Sequence, residues 1–192
     1  MKKDLLFYDA YEDFYEMAAG SKVFESFCRD AFGEDFSQDG FSDIEQVNKI
    51  LQYIPNGNVH ILDIGCGNGK MLGYLQNKTG CYIHGFDYSE IAINKAKNDF
   101  INKADFQVGV IGEIEYPKEI FDVVISMDSM YFAKDINQFV EQIKSWIKPG
   151  GVLFVGYQEG DVMPRTFNKD TTTFAKAMKN ISWNYDVADR LY

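Results

Sequence analysis

The run Asp63-Ile64-Gly65-Cys66-Gly67-Asn68-Gly69-Lys70 carries the densest chemical signal in the chain. Its three glycines allow a tight turn and let a ligand come close to main-chain atoms at a helix N-terminus. They read G-x-G-x-G, whereas a dinucleotide fingerprint wants G-x-G-x-x-G and would need its third glycine where Lys70 stands. Asp63 precedes the first glycine by two positions, where a carboxylate would oppose a pyrophosphate but suits a ligand bearing an ammonium group. Asp87 follows the glycines by about twenty residues, the place where a ribose hydroxyl pair is accepted. Tyr88, next in the chain, can lie against a purine face. Ser89 supplies the cap of the following helix, which leaves Asp87 for the ribose. A third group, Ser126-Met127-Asp128-Ser129-Met130-Tyr131, offers Asp128 and Tyr131 as the nearest candidates to orient or deprotonate an acceptor. Met127 and Met130 are read there as core or cofactor packing, with Met127 counted among the cofactor-binding residues.

These groups need a scaffold that brings strand ends together. From Val59 the sequence alternates short apolar runs with amphipathic helical stretches. VHILDI leads to a helix from about Gly69, CYIHGFD to a helix after Ser89, and DFQVGV to an irregular link. FDVVISM then precedes a helix striped by Ile136, Phe139, Val140, Ile143, Trp146 and Ile147, and Pro149-Gly150-Gly151 turns the chain into VLFVGY. Nearly unbroken apolar strands between helices predict a doubly wound α/β fold, a mainly parallel sheet with helices on both faces. Open sheets of this kind bind ligands beyond the carboxyl ends of their strands, where strand order reverses. All three groups fall at such ends. His60 and His84 fall away from them and are read as structural.

The expected division is a helical extension over 1–54, a core over 55–157, and a helix around Thr172 to Met178 with a polar-aromatic tail over 158–192. In the extension Phe24, Phe27, Cys28 and Ala31 recur at helical spacing, as do Ile44, Val47, Leu51 and Ile54, and Ser42 with Glu45 reads as a capping box. The leader Phe7-Tyr8-Asp9-Ala10-Tyr11-Glu12-Asp13-Phe14-Tyr15 reads either as a packing helix or as a lid over the site, with Gln38-Asp39-Gly40-Phe41 joining the same cover.

The 192 residues include 46% hydrophobic side chains and a formal net charge of −10. That balance argues against duplex nucleic acid and anionic membrane as partners. Cys28, Cys66 and Cys81 show neither a CxxC pair nor metal-ligand spacing, so no metal is expected and a reducing cytoplasm is. Neither a signal peptide nor an apolar stretch of bilayer length is read.

Together DIGCGNGK, FDYS, FDVVISMDSMYF and IKPGG, in this order, resemble the class I S-adenosylmethionine-dependent methyltransferases over about residues 55 to 157. The resemblance implies S-adenosyl-L-methionine as cofactor and S-adenosyl-L-homocysteine as product. It implies that Asp63 and the backbone of Gly65, Cys66 and Gly67 hold the methionine moiety, that Asp87 holds the ribose, and that Tyr88 lines the adenine. Many relatives carry an acid after Gly109; Val110 stands there, which leaves the adenine to backbone and Ile111. The family's two further C-terminal strands are not legible, so the chain is expected to be truncated or to depart from the family after Tyr157. The Asn-Pro-Pro-Tyr run of amino- and amide-methylating relatives of DNA and protein is absent, so the pattern resembles small-molecule enzymes. A sulfonium is already an activated methyl donor, so alignment can outweigh acid–base chemistry. The acceptor is expected between Tyr131, Tyr157 and the leader tyrosines Tyr11 and Tyr15. A protein or RNA acceptor and a non-catalytic cofactor-binding domain are the alternatives.

Overall fold

Apolar runs closed by glycine or polar residues form five strands: β1 (His60–Ile64), β2 (Tyr82–Asp87), β3 (Ala104–Val108), β4 (Phe121–Met127) and β5 (Ile147–Gly156). Helices α1 (Tyr8–Ala18), α2 (Lys22–Phe32) and α3 (Ile44–Leu51) precede them. α4 (Lys70–Thr79), α5 (Glu90–Asp99) and α6 (Ile136–Trp146) lie between them, and α7 (Thr173–Asn180) follows. The computed structural model describes residues 5–37, 40, 42–156 and 172–186. Among these the strands make one sheet in the order β3-β2-β1-β4-β5, and every neighbouring pair is parallel. The doubly wound α/β expectation is met.

Alternation along the central strands divides the core into two layers, because successive side chains point to opposite faces. Ile61 and Val123 pack with Val47, Ile50, Leu72 and Ile93 on the α3–α4–α5 side. Their neighbours Leu62 and Val124 pack with Phe139, Val140, Ile143 and Trp146 on the α6–α7 side. Met178 of α7 joins that second layer, so this helix covers the sheet beside α6. The Pro149-Gly150-Gly151 turn is present as a bulge: Phe121 pairs with Ile147, and pairing resumes two residues later at Val123 with Val152.

One local expectation is corrected. The capping box of α3 uses Asp43 and Gln46, not Ser42 and Glu45: the Asp43 carboxylate accepts from Gln46 N at 2.9 Å, and Gln46 accepts from Asp43 N at 3.1 Å. Ser42 is turned elsewhere. The aromatic stripe of α2 buries only Cys28. Phe24 meets Phe14 of α1 edge-on at 5.5 Å, and Phe27 stays largely exposed. These rings bind the two helices to each other outside the sheet core.

At the amino end of the sheet His60 Nδ1 lies 2.9 Å from His84 Nε2. Burial, and then His60, hold the His84 imidazole below its ordinary range, while Asp105 pulls it back up. The unfolded chain therefore takes up a proton more readily than the folded one, and stability should fall as pH drops below about 6.5 toward the depressed folded value. Urea denaturation of wild type and His84→Gln between pH 7.5 and 5 checks this. The variant should lose part of that slope, and an unchanged slope would show that the pair does not titrate with folding.

Candidate functional site

Strand order reverses between β1 and β4, and the chain builds its site at the carboxyl ends on either side of that point. Asp63 and Ile64 end β1, Asp87 ends β2 and Met127 ends β4, so three acids separated in sequence (Asp63, Asp87 and Asp128) meet at one cleft. The cleft measures about 900 Å³ including its open mouth. Gly65, Cys66 and Gly67 of the glycine loop line it, with Tyr88, Ile111 and Met127 and with Tyr11 and Tyr15 of α1.

The glycine loop is shaped by close contact. Gly65 has φ 73°, and a Cβ there would lie 2.7 Å from Ser129 Cβ. Ser129 itself donates to the Ile64 carbonyl at 2.6 Å and pairs with Ser126 Oγ at 2.6 Å, tying the end of β4 to the end of β1. Gly67 has φ 52°, and the Tyr15 hydroxyl occupies the space its Cβ would need. Only glycine combines this backbone with this approach.

The loop amides are already committed within the protein. Gly65 N and Cys66 N both donate to Phe86 O, at 2.9 and 3.0 Å, and Gly67 N donates to Asp87 Oδ2 at 3.0 Å. That engagement leaves these three N–H groups unavailable to a ligand. It also removes a pyrophosphate cradle, which depends on free N–H groups. Lys70 is drawn away too: its ammonium lies 2.6 Å from Asp35 Oδ2 and 2.7 Å from Ser37 Oγ. These bonds anchor residues 35–37 beside the loop.

Asp63 is 2% exposed, and its Oδ1 has no hydrogen-bond partner among the described residues. Burial, reinforced by Asp87, pushes its carboxyl well above the usual carboxylate range. A buried acid with an oxygen unpartnered among the described residues, beside a loop whose first three N–H groups are taken, calls for a cationic donor. Asp87 accepts from Gly67 N and, through Oδ1, from Ser89 N at 2.9 Å. Burial raises it to about 6, against the lowering effect of those N–H groups, with Glu12 adding to the rise. A carboxylate has about four lone-pair sites, so Asp87 can serve both the loop and a pair of ribose hydroxyls. These two acids fit the ammonium and ribose of S-adenosylmethionine.

α1 is docked over the site by more than its tyrosines. The Glu12 carboxylate accepts from the Ser89 hydroxyl and from Ile91 N at 3.3 Å, at the N-terminus of α5 where negative charge is favoured. Tyr88 packs among Tyr8, Tyr11 and Phe132 at centroid distances of 5.7, 5.8 and 6.1 Å, tilted against the first ring and edge-on to the other two. Glu12 carried no sequence signal, because its partner lies 77 positions away.

The acceptor side differs from expectation. Phe132 lines the cleft, whereas Tyr131 does not and is 46% exposed. The 3-10 turn Met130–Phe132 explains this, since it directs Met130 into the core and Phe132 to the cleft. Asp128 does line the cleft, and it receives the Ser42 hydroxyl at 3.3 Å. Asn68 and Ser129, from the two quoted site runs, line it as well, and so do Phe36 and Ser42, which were not anticipated. Gly40 of the expected cover lines it as well; Gln38, Asp39, Phe41 and Tyr157 lie outside the described residues.

A methyltransferase-domain family model matches residues 55–187. The chain is 32% identical over 141 residues to phosphoethanolamine N-methyltransferase of Plasmodium falciparum (isolate 3D7), covering 71% of this chain and 51% of that protein. An alignment of 214 positions with a sterol 24-C-methyltransferase of Saccharomyces cerevisiae gives 27% identity over 96% of this chain and 54% of that one. The crystal structure of a TehB-like SAM-dependent methyltransferase from Corynebacterium glutamicum superposes with a TM-score of 0.59, 27% identity and 73% coverage of each chain. The chain spans about half the length of the curated relatives it matches. With the acid-flanked glycine turn, the acid at the end of β2 and the parallel sheet in place, the chain belongs to the class I S-adenosylmethionine-dependent methyltransferase family.

Proposed function

We propose that this chain transfers the methyl group of S-adenosylmethionine to a small-molecule acceptor. The observation that carries this is Asp63, a buried carboxylate whose Oδ1 has no hydrogen-bond partner among the described residues, beside a loop whose Gly65, Cys66 and Gly67 N–H groups are engaged within the protein. In this reading Asp63 takes the methionine ammonium, Asp87 takes the ribose hydroxyls, and Tyr88 and Ile111 flank the adenine. Cys66, Gly65 and Gly67 form the floor, and Met127 packs beneath the reacting end. The bound cofactor supplies a methyl group activated by its sulfonium. Tyr11 and Tyr15 cover the cleft and keep water from it, while Asp128 meets the acceptor.

A roofed cleft favours a small acceptor over a protein or RNA chain, as does the net charge of −10. No helix among the described residues is long and apolar enough to cross a membrane. Three free, buried cysteines suit a reducing compartment such as the cytoplasm.

S-adenosylmethionine or S-adenosylhomocysteine at about a hundred times its dissociation constant should add about 2.7 kcal/mol of stability, read as a thermal shift. NAD should give none. A shift with NAD alone would overturn the assignment, and binding without turnover on a broad acceptor panel would favour a non-catalytic cofactor-binding domain.

A further inference from the structure

We infer that Glu12 is a positioning residue that latches α1 across the cleft, so that S-adenosylmethionine and S-adenosylhomocysteine pass only when the latch releases. The inference rests on the methyl-transfer reading and adds to it a control on cofactor exchange. α1 touches the segments that follow β1, β2 and β4. Tyr15 sets its hydroxyl against Gly67 after β1, and Tyr8 and Tyr11 pack on Tyr88 after β2. Tyr11 also meets Phe132 after β4, edge-on at 6.2 Å. A helix laid on these three segments crosses the strand ends where Asp63, at 2% exposure, and Asp87 stand. A cofactor reaches a carboxylate so enclosed only when the covering element moves.

α1 is itself lightly buried. Of its 11 residues Tyr15 and Ala18 alone are buried. Gly20 joins it to α2 at φ 85°, and an added Cβ there would meet no atom of the described residues within 4 Å. Light burial beside an uncrowded glycine suits a lid on a hinge better than a core helix. The polar tie is Glu12. Its Oε1 accepts from the Ser89 hydroxyl and from Ile91 N at 3.3 Å, at the start of α5, and its Oε2 receives the Tyr8 hydroxyl at 3.4 Å. Negative charge is favoured at that end of a helix. Ser89 is fully buried, and its N–H donates to Asp87 Oδ1 at 2.9 Å. The latch and the ribose acid therefore meet on one residue, which places the tie at the rim of the cofactor site.

Surface plasmon resonance with immobilised protein measures both S-adenosylhomocysteine rate constants, at pH 8 where Asp87 is ionised. Glu12→Ala should raise association and dissociation alike by about tenfold, the weight of one hydrogen bond to a charged group. Glu12→Gln, which keeps the shape and loses the charge, should raise both in the same direction. Glu16→Ala, at an exposed position one turn along α1, should move neither. A helix that only packs would give lower thermal stability in Glu12→Ala with association unchanged. Unchanged association in folded Glu12→Ala and Glu12→Gln proteins, a rise in dissociation alone, or an equal rise with Glu16→Ala would each overturn the latch. Wild-type protein that binds no S-adenosylhomocysteine would overturn the methyl-transfer reading itself, and the latch with it.

Discussion

Replacement of Asp63 by asparagine is expected to cost more than a hundredfold in S-adenosylmethionine affinity and to stabilise the empty protein. Both effects follow from one carboxylate. Asp63 is buried at the end of the central strand β1, with Oδ1 lacking a partner among the described residues. With the amide, the cofactor ammonium would enter a buried site and meet no charge, and breaking a buried pair in this way costs about 3–5 kcal/mol. At about 1.4 kcal/mol per decade that exceeds a hundredfold. Stability moves the other way. A carboxyl whose folded pKa lies above its unfolded value binds protons more tightly in the fold, so its ionisation weakens the fold as pH rises above the unfolded value near 3.9. Asparagine removes that burden, and its advantage should be larger at pH 8 than at pH 4. Calorimetric titration and urea denaturation at both pH values measure the pair of effects. Wild-type affinity in a folded Asp63→Asn protein would end the ammonium assignment.

Asp87→Ala should weaken the cofactor by about tenfold to a hundredfold, since hydrogen bonds to a charged group are worth about 1.5–3 kcal/mol each. Part of that loss is indirect. Asp87 also accepts Gly67 N–H and Ser89 N–H, so alanine releases the glycine loop from the end of β2. The fold should persist, because the two layers of core lie behind this edge. The wild-type titration adds a second test. Burial places the carboxyl at about 6, and only the ionised form can accept from the loop and the ribose together. Cofactor affinity should therefore fall as pH drops through about 6, and Asp87→Ala should lose that component of the profile. A folded variant with unchanged affinity would remove Asp87 from the ribose.

Much of the frame was legible from sequence because its signals are local. β-branched runs between turn residues marked all five strands, and the glycine turn after VHILDI marked the switch-point end of β1. Asp63, Asp87 and Asp128 were visible because each lies at or next to a strand end, and in a parallel sheet those ends converge. Boundaries were less certain where two neighbouring residues compete for one role. Ser42 and Asp43 both cap well in isolation, and Asp43 prevails where Gln46 reciprocates.

Pairings over long separations were beyond local pattern. Which nitrogen atoms of the glycine loop face a ligand depends on Phe86 O and on Asp87, which belong to another strand. Glu12 finds the start of α5, and Ser42 finds Asp128 86 positions away. Whether Tyr131 or Phe132 meets the cleft turns on one residue of rotation in a 3-10 turn, which sequence spacing does not resolve. Sequence alone determined the sheet, its switch point and the acids at its edge, because hydrophobic periodicity and turn chemistry act over a few residues. The tertiary structure decided which groups are satisfied and which face the ligand, because hydrogen-bond satisfaction is settled only when distant segments are packed together.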